Sequence, residues 1–178
     1  MRSVGLLPQD FGILLFAGSV EEECLLADHD AGLALGSTMA HLRTLVANID
    51  PSLHPRDLSE GQRLALAISV VAAPGPAVLC LDEPTRGLDA TAKAQLVADL
   101  RELAAGGTTI LMATHDVELV AEVAERVVLM AEGEIVDDGP ARHVVCQSPV
   151  FAPQVARVMA PAEWLTVEDV RRGLGDRT

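Results

Sequence analysis

The stretch Ala77-Val78-Leu79-Cys80-Leu81-Asp82-Glu83-Pro84 constrains this chain more than any other. An unbroken apolar run ends abruptly in two carboxylates and a proline. A run without polar alternation reads as a strand buried on both faces, the pattern of a parallel sheet clothed in helices. Such sheets bind ligands beyond the carboxyl ends of their strands. Asp82 and Glu83 stand at that end. A carboxylate pair so placed can hold Mg²⁺ and activate a water against a phosphate.

The flanking sequence supports a layered α/β arrangement. Ser3 to Pro8 reads as a short buried strand. Residues from about Phe11 to Asp57 read as helical and irregular, with Gly12, Gly18, Gly32, Gly36, Pro51 and Pro55 as breakers. Ser59-Glu60-Gly61-Gln62 is a capping box, and the helix it opens stops at Pro74. Asp89 caps a second helix, with Leu96, Leu100 and Leu103 on one side and Gly106-Gly107 at its end. Thr108 to Thr114 is the next buried strand, and Asp116 caps the helix after it. Arg126 to Ala131 reads as a further strand, and Glu132 to Pro140 as a turn, a short strand and a helix start. Strands alternating with helices predict a parallel sheet with helices on its faces. Asp82, Glu83 and His115 then converge at strand carboxyl ends.

Composition narrows the function classes. The chain has 178 residues, enough for one domain with a real core, and aromatics make up only 2%. The core must therefore be built from Leu, Val, Ala and Ile. A formal net charge of −13 argues against a nucleic-acid partner or an anionic-membrane surface, which would repel it. The longest apolar run, Leu64 to Leu81, is broken by Ser69 and Pro74-Gly75-Pro76, so it is too short to span a bilayer. Pro8-Gln9-Asp10 splits what would be the apolar core of a secretory signal. Cys24, Cys80 and Cys146 form no CxxC pair, and the five His show no metal-ligand spacing. The expectation is a soluble protein of a reducing compartment, with Cys80 a small buried residue.

Singly, Gln9, Leu58-Ser59-Glu60-Gly61-Gln62, Asp82-Glu83-Pro84, Gly87-Leu88-Asp89 and His115 have ordinary explanations as turns and caps. In this order and spacing the set resembles the ATP-binding-cassette (ABC) ATPases, with Gln9 as Q-loop glutamine and "LSEGQ" as the signature, usually LSGGQ. "VLCLDEP" matches Walker B and the catalytic glutamate, "GLD" the D-loop, and His115 the switch histidine. The resemblance implies ATP and Mg²⁺ as cofactors. It implies Asp82 and Gln9 at the metal, Glu83 on the attacking water, His115 donating to the γ-phosphoryl group and Gln9 sensing both. Ser59, Gly61, Gln62 and Asp89 would then reach nucleotide bound mainly by a second ATPase subunit. Glu60 replaces the usual Gly and is expected to point outward.

The family's phosphate cradle, GxxxxGK[ST], does not occur in this sequence. The lone lysine, Lys93, follows Ala92 inside the helix after the D-loop. The expected fold class is therefore α/β: an incomplete P-loop NTPase core, its parallel sheet flanked by helices, with a helical signature subdomain. Residues 1–8 and 74–178 would form the partial nucleotide-binding core, and 9–73 the helical subdomain with Q-loop and signature. The favoured reading is the back part of a longer cassette, with Met1 falling where the Q-loop strand begins. Turnover by this chain alone is not expected. The alternative is a subunit without a P-loop that regulates or completes a partner by donating its signature. Uncovered sheet edges predict poor stability in isolation.

Leu14 to Cys24, "LLFAGSVEEEC", resembles the Q-loop region of energy-coupling-factor ATPases, and Ser19 also reads there as a helix cap with Glu22 as its partner. The segments 149–161 and "WLTVEDV" (Trp164 to Val170) resemble the C-terminal part of actinobacterial members. This resemblance implies a cytoplasmic subunit, peripheral on the inner face of the membrane. It would pair with another cassette and take a transmembrane coupling component in the groove beside Gln9. Its work would be to power uptake of a vitamin or of cobalt or nickel.

Overall fold

In the computed structural model, the described residues are 4–148 and 151–175. Ser3, Pro149 and Val150, which belong to stretches singled out above, lie outside them. The chain forms two compact units, one ending at Thr114 and the other beginning at His115.

In the first unit, β1 (Val4–Leu7), β2 (Val78–Asp82) and β3 (Thr109–Ala113) form a parallel sheet in the order β1-β2-β3. The register sets Leu6, Cys80 and Leu111 side by side, and likewise Leu7, Leu81 and Met112. Between β1 and β2 the chain makes a 3₁₀ turn (Phe11–Leu14), α1 (Val20–Ala31), α2 (Ser37–Leu45), a second 3₁₀ turn (Pro55–Asp57) and α3 (Glu60–Ala72). Helix α4 (Ala90–Ala105) joins β2 to β3. As expected, α3 opens on a complete capping box, and Asp89 caps α4 through a 2.8 Å bond from the Ala92 N–H.

Burial departs from the sequence expectation. Helix α3 packs on β1 and α4 on β3, and the face toward them is closed: Leu7, Leu79 and Leu81 are almost inaccessible. The opposite face is open. Val4, Leu6 and Leu111 are each at least 60% exposed, and Cys80 is half-buried. The run around β2 is therefore buried on one face, not two, and neither β1 nor β3 is fully buried. Apolar continuity reports what a strand can tolerate; the cover depends on which other elements pack there.

The helical layer has a dry core of its own, including Leu42, Leu66, Ala67 and Ile68. Two carboxylates organise its turns. Asp28, fully buried, accepts bonds from the Gly36 N–H (2.6 Å), the Thr38 N–H (2.8 Å) and the Thr38 hydroxyl (2.6 Å), which together anchor the start of α2. Glu23, 2% exposed, reaches back to the N–H groups of Phe16 and Ala17 at 2.9 and 2.7 Å. Ser19 caps α1 as expected, accepting from the Glu22 N–H, but the Glu22 carboxylate turns to the Gly18 N–H instead of completing the box.

The second unit holds α5 (Val117–Val123), capped by Asp116, and a hairpin of β4 (Arg126–Ala131) and β5 (Glu134–Pro140). Helices α6 (Ala141–Gln147), α7 (Gln154–Met159) and α8 (Val167–Leu174) follow. The hairpin is antiparallel and forms its own two-stranded sheet. So the fourth strand does not continue the parallel array that simple alternation suggested. The turn at Glu132-Gly133, both with positive φ, lets β4 fold straight back onto β5. The three cysteines are free thiols. Burial, assisted by the Asp28 and Glu23 carboxylates, pushes the Cys24 thiol up to about 12, which makes it inert.

Candidate functional site

Two clusters emerge in the first unit. The first lies at the carboxyl end of the sheet. Asp82 is the last residue of β2 and is exposed. Glu83 follows in the left-handed region at φ 47°, a conformation that costs a non-glycine residue about 1–2 kcal/mol. The surroundings hold it there: its N–H donates to the Ala113 carbonyl at 2.8 Å, and its carboxylate accepts from the Thr114 hydroxyl at 3.3 Å. The turn continues through Arg86 to the Glu83 carbonyl and Leu88 to the Thr85 carbonyl. Because β1 runs parallel to β2, Gln9, exposed two residues beyond Leu7, leaves the sheet at the same end.

The second cluster is built from two helix starts. Ser59 Oγ accepts from the Gln62 N–H at 3.3 Å, and Gln62 Oε1 accepts from the Ser59 N–H at 3.0 Å. The start of α3 thus presents remaining N–H groups and the positive end of its dipole. A Cβ on Gly61 would lie 2.7 Å from the Ala92 Cβ, so glycine is what allows α3 and the start of α4 to touch. Ser59, Gly61, Gln62 and Asp89 share one cavity of about 280 Å³. The four residues expected to act together are therefore together. Glu60 turns aside to Arg63 at 2.5 Å, and its stem packs near Gly87. The expected outward course is met only in part: Glu60 leaves the cavity lining but stays half-buried against Arg63.

Beside Gln9 runs a groove of about 310 Å³, lined by Asp10, Ile13, Pro55, Arg56 and Arg63 among others. The Arg63 guanidinium lies 5.7 Å from the centre of the Phe11 ring. Ile13 is exposed in the groove, and Phe16, three residues on, is exposed as well. His115 is exposed, two residues past β3, and opens the second unit.

Sequence reasoning missed three participants. Thr114, which bonds Glu83, looked like the end of a strand. Ala92, the surface Gly61 rests on, had no signal of its own. Asp99 lines the second cluster's cavity while 3% exposed; its place three residues after Leu96 and four before Leu103 was the available clue.

Residues 7–121, well over half of the chain, match the family model described as "AAA domain, putative AbiEii toxin, Type IV TA system". Over 174 residues, 98% of this chain, the sequence is 58% identical to a "Putative ABC transporter ATP-binding protein" of Streptomyces coelicolor. The chain belongs to the ATP-binding-cassette ATPases. It is also 38% identical over 155 residues to the cobalt import ATP-binding protein CbiO of Rhodobacter capsulatus, covering 85% of this chain and 55% of that one. Among solved structures it is similar to cbiO1 of Clostridium perfringens, described as part of the ABC transporter complex cbiONQ. That match has a TM-score of 0.70 and 28% identity, over 82% of this chain and 60% of the other. The chain spans about a third of the length of the Streptomyces relative. Among the described residues no helix is long and apolar enough to cross a membrane.

Proposed function

We propose that this chain forms the signature-bearing and Walker B part of the ATP-hydrolysing subunit of an importer of the energy-coupling-factor kind. The observation that supports this most is the single cavity shared by Ser59, Gly61, Gln62 and Asp89 on two abutting helix starts. Nothing in ordinary helix packing requires a complete capping box, a glycine contact and a second cap to open on one space. A polyphosphate suits it, because uncapped N–H groups and helix dipoles favour an anion.

In this reading Glu83 accepts the proton of the attacking water, and its strained backbone aims the carboxylate for that task. Gln9 helps position the water, and His115 donates a hydrogen bond to the γ-phosphoryl oxygens. Mg²⁺ would be held by Asp82 and Gln9. The donor set fits: Asp82 offers a carboxylate and Gln9 an amide oxygen, both oxygen donors exposed beyond the carboxyl end of the sheet. Mg²⁺ is usually held by one or two protein ligands together with waters and phosphate oxygens. When bound it would neutralise phosphate charge. Residues 1–8 and 74–178 serve the nucleotide, and 9–73 serve the coupling. The groove beside Gln9 would take a transmembrane coupling component, placing the subunit on the cytoplasmic face of the membrane. Cobalt as cargo is suggested by the cobalt-import relative; a vitamin or nickel rests on the sequence resemblance alone.

A second reading has its own observation. The signature side is fully capped and formed, while the sequence contains no GxxxxGK[ST]. The chain could then complete a partner's site by donating Ser59, Gly61, Gln62 and Asp89. One experiment separates the two. A fluorescent ATP analogue is titrated into the purified chain, and the chain is then added to a complete cassette ATPase. Both readings predict no micromolar binding by the chain alone, and such binding would overturn both. Stimulation of the partner's turnover, lost in Ser59→Ala, supports the second; no stimulation leaves the first.

A further inference from the structure

The cavity under the signature helix continues well past the residues that face nucleotide. Its further lining includes Thr91 and Gln95 of α4, both exposed at the rim, and the buried Asp99, with Leu64, Ile68 and Leu96 as apolar lining. Asp99 is 3% exposed, and its Oδ1 accepts from Gln95 Nε2 at 2.8 Å. A buried carboxyl ordinarily demands a cationic or fully hydrogen-bonded surrounding. Among the described residues, the bond to it comes from one neutral amide. Among the described residues the charged lining is Asp89 and Asp99, with no Lys or Arg. A second phosphate is therefore the wrong occupant, and a cation is the right one. The leucine and isoleucine wall excludes a bare hydrated metal ion and suits an apolar body.

We propose that this cavity is a binding site for a small organic cation, with an ammonium or guanidinium head against Asp99 and a short aliphatic body against Leu64, Ile68 and Leu96. The whole cavity, its nucleotide-facing part included, is about 280 Å³, and a short aliphatic amine fills only part of it. Burial raises the Asp99 carboxyl and Glu102 adds to that, while the Gln95 bond and His41 lower it; the net direction is up. A cation at Asp99 relieves this, so its binding strengthens as pH rises through the Asp99 titration, where the free site gives up its proton. An occupant would brace α3 against α4 beside Gly61, behind the residues that face nucleotide. The inference does not rest on the nucleotide reading, because the site is complete within α3, α4 and the end of α2.

The test uses the whole chain without nucleotide. n-Butylammonium is titrated by calorimetry and by NMR, with n-pentanol and butyrate as neutral and anionic comparators. Saturable butylammonium binding is expected, at least tenfold tighter than either comparator. It should weaken tenfold or more in Asp99→Asn and stay unchanged in Asp30→Asn, an exposed carboxylate elsewhere. Thr91→Trp, at an exposed rim position, should block the site with the fold intact by circular dichroism, which keeps the test decisive if Asp99→Asn unfolds. Equal binding of pentanol, or full affinity in Thr91→Trp, overturns the proposal.

Discussion

The helical layer of α1 to α3 and the three-stranded sheet beside it are finished to different degrees. In the helical layer Leu42, Leu66 and Ile68 are wholly inaccessible, and the buried carboxylates Asp28 and Glu23 have their acceptors engaged. In the sheet, one face is closed by α3 and α4 while Val4, Leu6 and Leu111 stand open on the other. The helical layer carries its own cover. The sheet presents an apolar surface of the kind that α/β proteins bury. Stability in this chain should therefore be concentrated in the helices and nearly absent from the open face, and substitutions can test that division.

The largest effect is expected at Asp28. Asp28→Ala strands the N–H groups of Gly36 and Thr38 and should cost about 4 kcal/mol in urea unfolding. The pH dependence has a definite sign. Burial alone raises this carboxyl, but the Thr38 hydroxyl and the N–H groups of Thr38, Gly36 and Ser37 outweigh it and hold it below the usual carboxylate range. Its stabilisation is thus present above the unfolded value of about 4 and fades as pH drops below that. Acid titration of the wild type should show this loss, and Asp28→Asn should flatten it.

Leu66→Ala comes next, at about 3 kcal/mol, from lost burial and the cavity left behind. Ser59→Ala should cost about 1 kcal/mol through the capping box; a far larger loss would mean that α3 is held by its cap more than by its buried face. The smallest effect belongs to the open sheet face. Leu111→Thr should shift stability by no more than about 0.5 kcal/mol and reduce self-association in light scattering. A cost near that of Leu66→Ala would erase the contrast between the two layers.

Legibility followed the range of the forces involved. The Ser59 and Gln62 box and the Asp89 and Asp116 caps involve groups three residues apart, so their residues announce them. The strand ending in Asp82 was equally plain. Its one-sided burial was not, because cover comes from elements far along the chain. The antiparallel return of β5 onto β4 was hidden for a similar reason: pairing direction is chosen by the turn at Glu132-Gly133, while the apolar run of β4 is the same either way. Asp28 and Asp99 look like surface aspartates in sequence. Only the fold shows that one is enclosed by α2 and the other lines the cavity beneath α3. At the candidate site, Ser59, Gly61, Gln62 and Asp89 were legible as residue types, whereas Thr114, Ala92, Asp99 and the left-handed backbone of Glu83 were not.

Gly61 touches Ala92 where any side chain would collide. The spacing between Ser59 and Asp89 is thereby set by contact, as a machinist sets a gap by bringing two faces together. Gly61→Ala would act as a shim. It would widen that gap by several tenths of an ångström without removing any polar group, and so would detune the grip on a ligand while leaving every hydrogen-bonding residue in place.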